Sequence, residues 1–256
     1  MQLGGRPHLS VVIPAYNEEQ RLGPSLVRIA EYLDRETIDA EVLVVDDGSS
    51  DGTAALAEKE LTGHRARVIR NNENRGKGYS VRRGVIEAVG RWVLMTDADL
   101  SAPIEEHAKL AAAARDHDLD LAIGSRGLEA SQIEVRQGLL RQTMGKTFNR
   151  LIRAMTGLRF HDTQCGFKLM HRDRIGPIFE SMVVERFAFD VELLFLCERF
   201  GMRAREVPVV WRNSAESCVN MLTDPLNMFY DVARIRWRFR RGQYNPPQVG
   251  DAVDGG

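Results

Sequence analysis

The sequence predicts an α/β fold, a mainly parallel sheet flanked by helices, on two observations. Its first half alternates short apolar runs with helical stretches, and those runs are continuous rather than alternating. Continuous runs suit strands covered on both faces, and a strand–helix rhythm suits parallel pairing. The polar motifs then fall at the carboxyl ends of the strands, where such sheets bind ligands.

Leu9–Ile13 is expected as the first strand, closed by Pro14. Glu18–Asp34 follows as a helix with Leu22, Leu26, Ile29, Ala30 and Leu33 on one face. Glu41–Asp46 reads as a second strand, and Asp51–Glu60 as a helix opened by a Ser-Ser-Asp-Gly-Thr capping cluster. Arg67–Arg70 is a third strand, Tyr79–Val89 a helix and Trp92–Thr96 a fourth strand. A helix near Pro103–Asp116 precedes a fifth strand at Leu119–Gly124. Beyond it, Gln137–Leu158 reads as one long helix and His161–Gly166 as a polar turn. Phe167–Phe179 suggests a short strand and a helix, Ala188–Phe200 a helix, Ala204–Val207 a strand and Asp224–Arg241 a basic helix. One domain is expected over 8–241, in halves 8–126 and 127–241, with 242–256 a flexible tail rich in proline and glycine.

Bulk properties narrow the class. A chain of 256 residues with 43% apolar residues can bury a sizeable core. Its net charge of −1 gives no global field toward nucleic acid, so any anion-binding surface is local. No run approaches the roughly 20 apolar residues that span a bilayer, and no secretory apolar segment opens the chain. Cys165, Cys197 and Cys218 lack zinc spacing and suit reduced thiols of a cytoplasmic protein.

Four motifs carry the chemistry. Pro14-Ala15-Tyr16-Asn17-Glu18 can stack a base and hydrogen-bond a ribose, though alone it also fits a turn and a helix start. Asp46-Asp47-Gly48-Ser49 places adjacent aspartates after an apolar strand, one free for a ligand while the other anchors the loop. In Asn74-Arg75-Gly76-Lys77-Gly78 the glycines admit a close backbone approach, and Arg75 or Lys77 can meet phosphate or ribose. In Thr96-Asp97-Ala98-Asp99-Leu100-Ser101, extended backbone turns Asp97 and Asp99 the same way, so both can address one ion. Mg²⁺ or Mn²⁺ accepts one or two carboxylates and fills its shell with water and substrate phosphates, and as a Lewis acid it would stabilise a diphosphate leaving group. Pro-Ala-Tyr-Asn-Glu in place of a glycine fingerprint argues against a dehydrogenase.

In this ordered set the chain resembles the family 2 glycosyltransferases of GT-A (Rossmann-like) fold, from Leu9 to about Tyr244. Within the family it is similar to dolichyl-phosphate and polyprenyl-phosphate β-glucosyltransferases. That likeness rests on Gly124-Ser125-Arg126, Asp162-Thr163-Gln164-Cys165-Gly166-Phe167-Lys168 and Phe189-Asp190-Val191-Glu192-Leu193-Leu194. It departs at Arg186-Phe187, where the glucosyl branch carries Gly-Trp, and it does not extend to the N-terminal membrane anchor of eukaryotic members. The resemblance implies that Pro14, Tyr16, Glu18 and Asp47 hold base and ribose, with Lys77 also on the nucleotide side. It implies that Asp97 and Asp99 bind the metal with Ser101 behind them, that Arg126 and Lys168 approach phosphate oxygens, and that Arg136 and Arg141 receive the acceptor phosphate. Residues 8–126 would then be the nucleotide-sugar half and 127–241 the acceptor and membrane-facing half.

The implied reaction moves a hexose, glucose from UDP-glucose, onto a polyprenyl or dolichyl phosphate with inversion at the anomeric carbon. A lipid phosphate is already anionic, so no general base is required. Asp190, where hydroxyl-acceptor members carry that base, would instead orient basic groups or the sugar. Gln137–Leu158 and Met228–Arg241 mix apolar and aromatic residues with arginines, as basic amphipathic helices at an anionic membrane interface do. The expected partners are a nucleotide-sugar, a polyprenyl-phosphate lipid and the cytoplasmic face of a membrane, with no nucleic acid; a homodimer is left open. GDP-mannose as donor, a soluble acceptor and a non-catalytic nucleotide-sugar-binding module stand as alternatives.

Overall fold

The structure, a computed structural model, describes residues 5–61, 65–135, 149–212 and 224–246. Its strands are β1 (Leu9–Ala15), β2 (Ala40–Asp46), β3 (Arg65–Arg70), β4 (Trp92–Met95), β5 (Leu121–Ser125), β6 (Gln132–Val135), β7 (Lys168–His171), β8 (Ala204–Pro208) and β9 (Val210–Arg212). Its helices are α1 (Glu19–Arg35), α2 (Thr53–Glu60), α3 (Lys77–Glu87), α4 (His107–Asp116), α5 (residues 149–156), α6 (Arg172–Ser181), α7 (Phe189–Arg199) and α8 (Asp224–Arg240). Seven strands form one sheet in the order β3-β2-β1-β4-β7-β5-β8, parallel except for β7; β6 and β9 pair separately.

The continuous apolar runs become strands covered on both faces. Every residue of β1 is buried. On one face Val12, Leu43 and Val45 pack with Val81 and Val85 of α3 and with α6 and α7. On the other, Val11, Ile13, Val42 and Val44 pack against Leu22, Leu26, Ile29 and Leu33 of α1. Burying each such aliphatic side chain contributes roughly 1.5–3 kcal/mol, so the two faces carry most of the favourable term. Gly84 lets α3 lie close to the sheet, since a Cβ there would press on Val12 and stand 3.0 Å from Val45 Cγ2.

Three differences from the sequence expectation have physical causes. Pro14 does not close β1 but sits inside it, in register with Val45. Val12 C=O accepts from Thr96 on the β4 side and Ala15 C=O accepts from Asp47 on the β2 side. By alternation the Pro14 nitrogen faces β4, beyond the last registered pair Val12–Met95, where no donor is needed. The helix expected from Asp51 begins at Thr53, because Asp51 Oδ1 accepts from Thr53 N at 3.0 Å and holds a turn ahead of it. The third is the direction of β7: the short strand expected ahead of the helix is there, but it runs antiparallel between β4 and β5. Residues 137–148 of the expected long helix lie outside the described residues; 149–156 are helical and stop at Gly157, whose φ is +78°.

Candidate active site

The site is built on the carboxyl ends of β1, β2, β4 and β5. Past β4, Thr96 still donates to Val12, after which the chain leaves the sheet and turns, Leu100 N donating to Asp97 O at 3.1 Å with Leu100 at φ +46°. Asp99 Oδ1 accepts from Ser101 N at 3.0 Å and from Ser101 Oγ at 2.9 Å, so Ser101 sets the aim of that carboxylate. Asp97 Oδ1 lies 2.5 Å from Lys77 Nζ, and the Asp97 side chain keeps 23% of its surface exposed. Partial burial pushes the Asp97 carboxyl up, but Lys77, with Lys168 and Arg126 further off, more than offsets this and holds it below the usual carboxylate range. Burial works against the charged Lys77 as well, and Asp97 and Asp190 overcome it, leaving the ammonium more firmly protonated than an ordinary lysine.

The two aspartates after β2 both anchor loops. Asp46 accepts from Ser49 N and Arg70 Nε. Asp47, buried, accepts from Asn71 Nδ2 at 2.7 Å, Arg75 N at 3.1 Å and Gly76 N at 2.7 Å. Asp47 therefore joins the second motif to the third and fixes the loop that starts α3. Gly76 is required there: its φ is +109°, and a Cβ would stand 2.6 Å from Glu185 O. Of the first motif, Pro14 is buried in the sheet, Tyr16 is exposed at the rim, and Glu18 is paired with Arg21 at 2.7 Å. Burial raises the Glu18 carboxyl, opposed by Arg21 and reinforced by Asp99 and Asp97.

Because β7 is antiparallel, it starts at the same sheet edge where its neighbours end. Lys168 is in register with Met95 of β4 and Ile123 of β5. The Asp162–Lys168 segment is thereby brought under the fourth motif, and Gly166 packs directly on the Asp97 carboxylate, with Cγ only 2.6 Å from where a Cβ would stand. Lys168, expected at phosphate oxygens, is instead fully buried: its ammonium donates to the Cys165 carbonyl and to Asp190 Oδ1, the latter at 2.5 Å. It acts on the loop beneath Asp97 rather than at the surface. Burial pushes the Asp190 carboxyl above its ordinary range against the pull of Lys168 and Lys77.

Arg126 leaves β5 and makes a bidentate pair with Asp162, at 2.6 and 2.8 Å, over the Trp211 ring at 4.7 Å. Burial lowers and Asp162 raises its pKa, and the aspartate prevails. Glu206 of β8 positions this pair by accepting from Ser125 Oγ and from the backbone N–H groups of His161 and Asp162. Glu206, Trp211 and Gly166 are the residues that sequence reasoning missed. Only the apolar Trp211 beside a basic position carries any signal, since an aromatic face suits a guanidinium. Arg136 and Arg141 lie outside the described residues.

The donor set suits Mg²⁺ or Mn²⁺. Asp97 and Asp99 supply hard oxygen, and among the described residues no group of three or more His, Cys, Asp or Glu is placed to enclose an ion. An ion here would keep positions for water and phosphate oxygens, as Mg²⁺ does beside one or two carboxylates.

α8 has two faces. Val232 and Ile235 are buried and Phe239 meets Phe195 edge-on at 5.3 Å, while Phe229, Tyr230 and Trp237 are 46%, 69% and 50% exposed. Arg234, Arg240 and Arg241 are exposed beside them, Arg241 stacked on Trp237 at 4.6 Å. Core packing accounts for one face and leaves an aromatic and basic face open. Among the described residues no helix is long and apolar enough to cross a membrane.

Known proteins resemble this chain in sequence and in fold. The family described as Glycosyl transferase family 2 matches residues 10–178. A dolichyl-phosphate beta-glucosyltransferase of Drosophila melanogaster is 37% identical over 250 residues, covering 92% of this chain and 76% of that protein. Its Homo sapiens counterpart is 34% identical over 254 residues, covering 94% and 78%. Among solved structures, glucosyl-3-phosphoglycerate synthase from Mycobacterium tuberculosis with Mn²⁺, UDP-glucose and phosphoglyceric acid superposes with a TM-score of 0.65 at 20% identity, covering 92% of this chain and 80% of that one. The same enzyme is also known with Mg²⁺ and UDP. At that identity the likeness speaks for the fold.

Proposed function

The chain belongs to glycosyl transferase family 2, and from that premise we propose that it transfers glucose from UDP-glucose to a polyprenyl or dolichyl phosphate at a membrane surface, with Mg²⁺ or Mn²⁺. The observation that carries this reading is similarity to dolichyl-phosphate beta-glucosyltransferases along more than nine-tenths of the chain. The residues supply a consistent division of labour. Tyr16 offers its ring to the base, with Glu18 on the ribose side, while Pro14 and Asp47 hold the backbone that frames them. Asp97 and Asp99 hold the metal, which when bound supplies Lewis-acid charge to the diphosphate. Lys77 and Arg126 add positive charge where the leaving group develops negative charge. Residues 8–126 serve the donor and 127–241 the acceptor, with Arg136 and Arg141 assigned to the acceptor phosphate.

An acceptor phosphate oxygen forms its bond to the anomeric carbon on the face opposite the departing diphosphate, so configuration inverts. No proton leaves the nucleophile. Asp190 suits this chemistry because its carboxylate is committed to Lys168. Asp190→Asn should lower the rate without recovery as the pH is raised toward about 9, measured as kcat against pH. Recovery at high pH would assign it proton removal and would favour a hydroxyl acceptor.

The open face of α8 supports the membrane part of the reading. Replacing Tyr230 and Trp237 by Ala should reduce co-sedimentation with anionic liposomes several-fold and leave the melting temperature nearly unchanged, because both side chains are mostly exposed. Equal co-sedimentation would remove the membrane assignment. The whole proposal is tested by transfer of labelled sugar to a short polyprenyl phosphate, with UDP-glucose, GDP-mannose and a soluble phosphorylated acceptor in parallel. Product only from UDP-glucose and the lipid is expected; product only from GDP-mannose or only on the soluble acceptor would overturn it.

A further inference from the structure

Lys77 already neutralises a carboxylate that a metal ion would use. Its ammonium lies 2.5 Å from Asp97 Oδ1, and a divalent ion would bind that carboxylate at about 2.0–2.1 Å. Two cations on one carboxylate repel each other, so the ammonium and a metal weaken each other's hold on Asp97. Lys77 is also in the field of Asp190 and Asp99, while Glu18 adds negative charge near Asp97 and Asp99. Without a cation, this group of carboxylates would repel itself within a partly enclosed site.

The backbone of Lys77 has little freedom. It is the first residue of α3, directly after Gly76, whose N–H is held by Asp47 at 2.7 Å and whose Cα packs on the Glu185 carbonyl. The long side chain is therefore the part that can move. It starts from the same glycine-rich helix N-terminus that the proposed function assigns to the donor diphosphate, so a phosphate arriving there would offer the ammonium a new partner.

We infer that Lys77 is a resident cation that fills the metal subsite of the ligand-free enzyme and is transferred to the diphosphate when metal and nucleotide enter together. The inference rests on the proposed metal and nucleotide sites and adds a coupling between them. Metal alone loosens the ammonium from Asp97 and leaves it only the field of Asp190. Metal arriving with a diphosphate evicts it into a new ion pair. Lys77 thus makes binding of the two ligands more cooperative than their direct contact would, and it disfavours metal in the empty site.

The test is Mn²⁺ affinity, read from the free-ion electron paramagnetic resonance signal, with and without saturating UDP or GDP. Lys77→Met and Lys77→Gln both remove the charge, and the Gln variant keeps a donor for Asp97 should the Met variant fail to fold. The neutral variants are expected to bind Mn²⁺ alone about tenfold more tightly than the wild type and to lose a similar factor of nucleotide–metal coupling. Lys77→Arg, which keeps the charge, should behave as the wild type. Unchanged affinity for Mn²⁺ alone would overturn the inference. So would equal tightening with and without nucleotide, which signifies charge removal without transfer of the ammonium. Wild-type protein that binds no Mn²⁺ with either nucleotide would instead refute the metal and donor sites themselves, and the inference with them.

Discussion

Gly166→Ala is expected to reduce glycosyl transfer about 100-fold while changing stability by less than about 2 kcal/mol, magnitudes set by what a displacement near 1 Å does to a reacting site and by the cost of one added methyl. The methyl would overlap the Asp97 carboxylate, standing 2.6 Å from its Cγ. That carboxylate ends a short, partly exposed side chain, so the fold can yield by turning it aside. Turning it aside separates Asp97 from Lys77. Steady-state kinetics with varied Mn²⁺, beside a melting curve, would check this. Wild-type turnover in Gly166→Ala would mean that the Asp97 orientation seen here does not matter to the reaction.

Lys168→Met should act in the opposite way, on the fold first. The ammonium is fully buried with Asp190 and the Cys165 carbonyl as its partners. Removing it leaves a buried carboxylate without its hydrogen-bonded counter-charge and with only the field of Lys77, and loss of a buried partner typically costs about 3–5 kcal/mol. A shift of the urea midpoint at constant m-value would report it. Adding Asp190→Leu should recover part of the loss, because an apolar pair is easier to bury than one orphaned charge. A single variant as stable as the wild type would show that Asp190 takes its proton, or another partner, at little cost.

Much of the donor side was legible because buried parallel strands need unbroken apolar runs, and each run here ends at a polar motif. Leu9–Ile13, Val42–Val45 and Val93–Met95 became strands of the sheet, whereas Ala98 and Asp99 after the last of them lie in a turn and not in the extended backbone expected to align Asp97 with Asp99. The aspartates after β2 were less legible. An Asp after a strand suits a ligand or a loop anchor equally well, and only coordinates reveal that Asp47 already receives three N–H groups. Lys168 was misplaced for a simple reason: lysine is almost never fully buried, so its charge reads as surface until a partner such as Asp190 is located. The short strand β7 was legible but its reversed direction was not, since the pairing partner of Lys168–His171 leaves no mark on so short a run. Glu206 was invisible because its contribution is to hold Asp162 and His161 from a strand more than forty positions away.

The reversed direction of β7 has a consequence for how this scaffold can diversify. Ser125 ends β5 and Lys168 begins β7, and the pairing of Ile123 with Lys168 puts both at one rim of the sheet. The chain between them leaves and re-enters the frame side by side, like a handle fixed at two adjacent rivets. Such a handle can change in length between its rivets while the strand ladder stays as it is, but its returning end carries Gly166 against Asp97 and Asp162 against Arg126. A graft between relatives would therefore exchange the part ahead of Asp162 and keep that end, so that the Asp97–Lys77 corner is not disturbed.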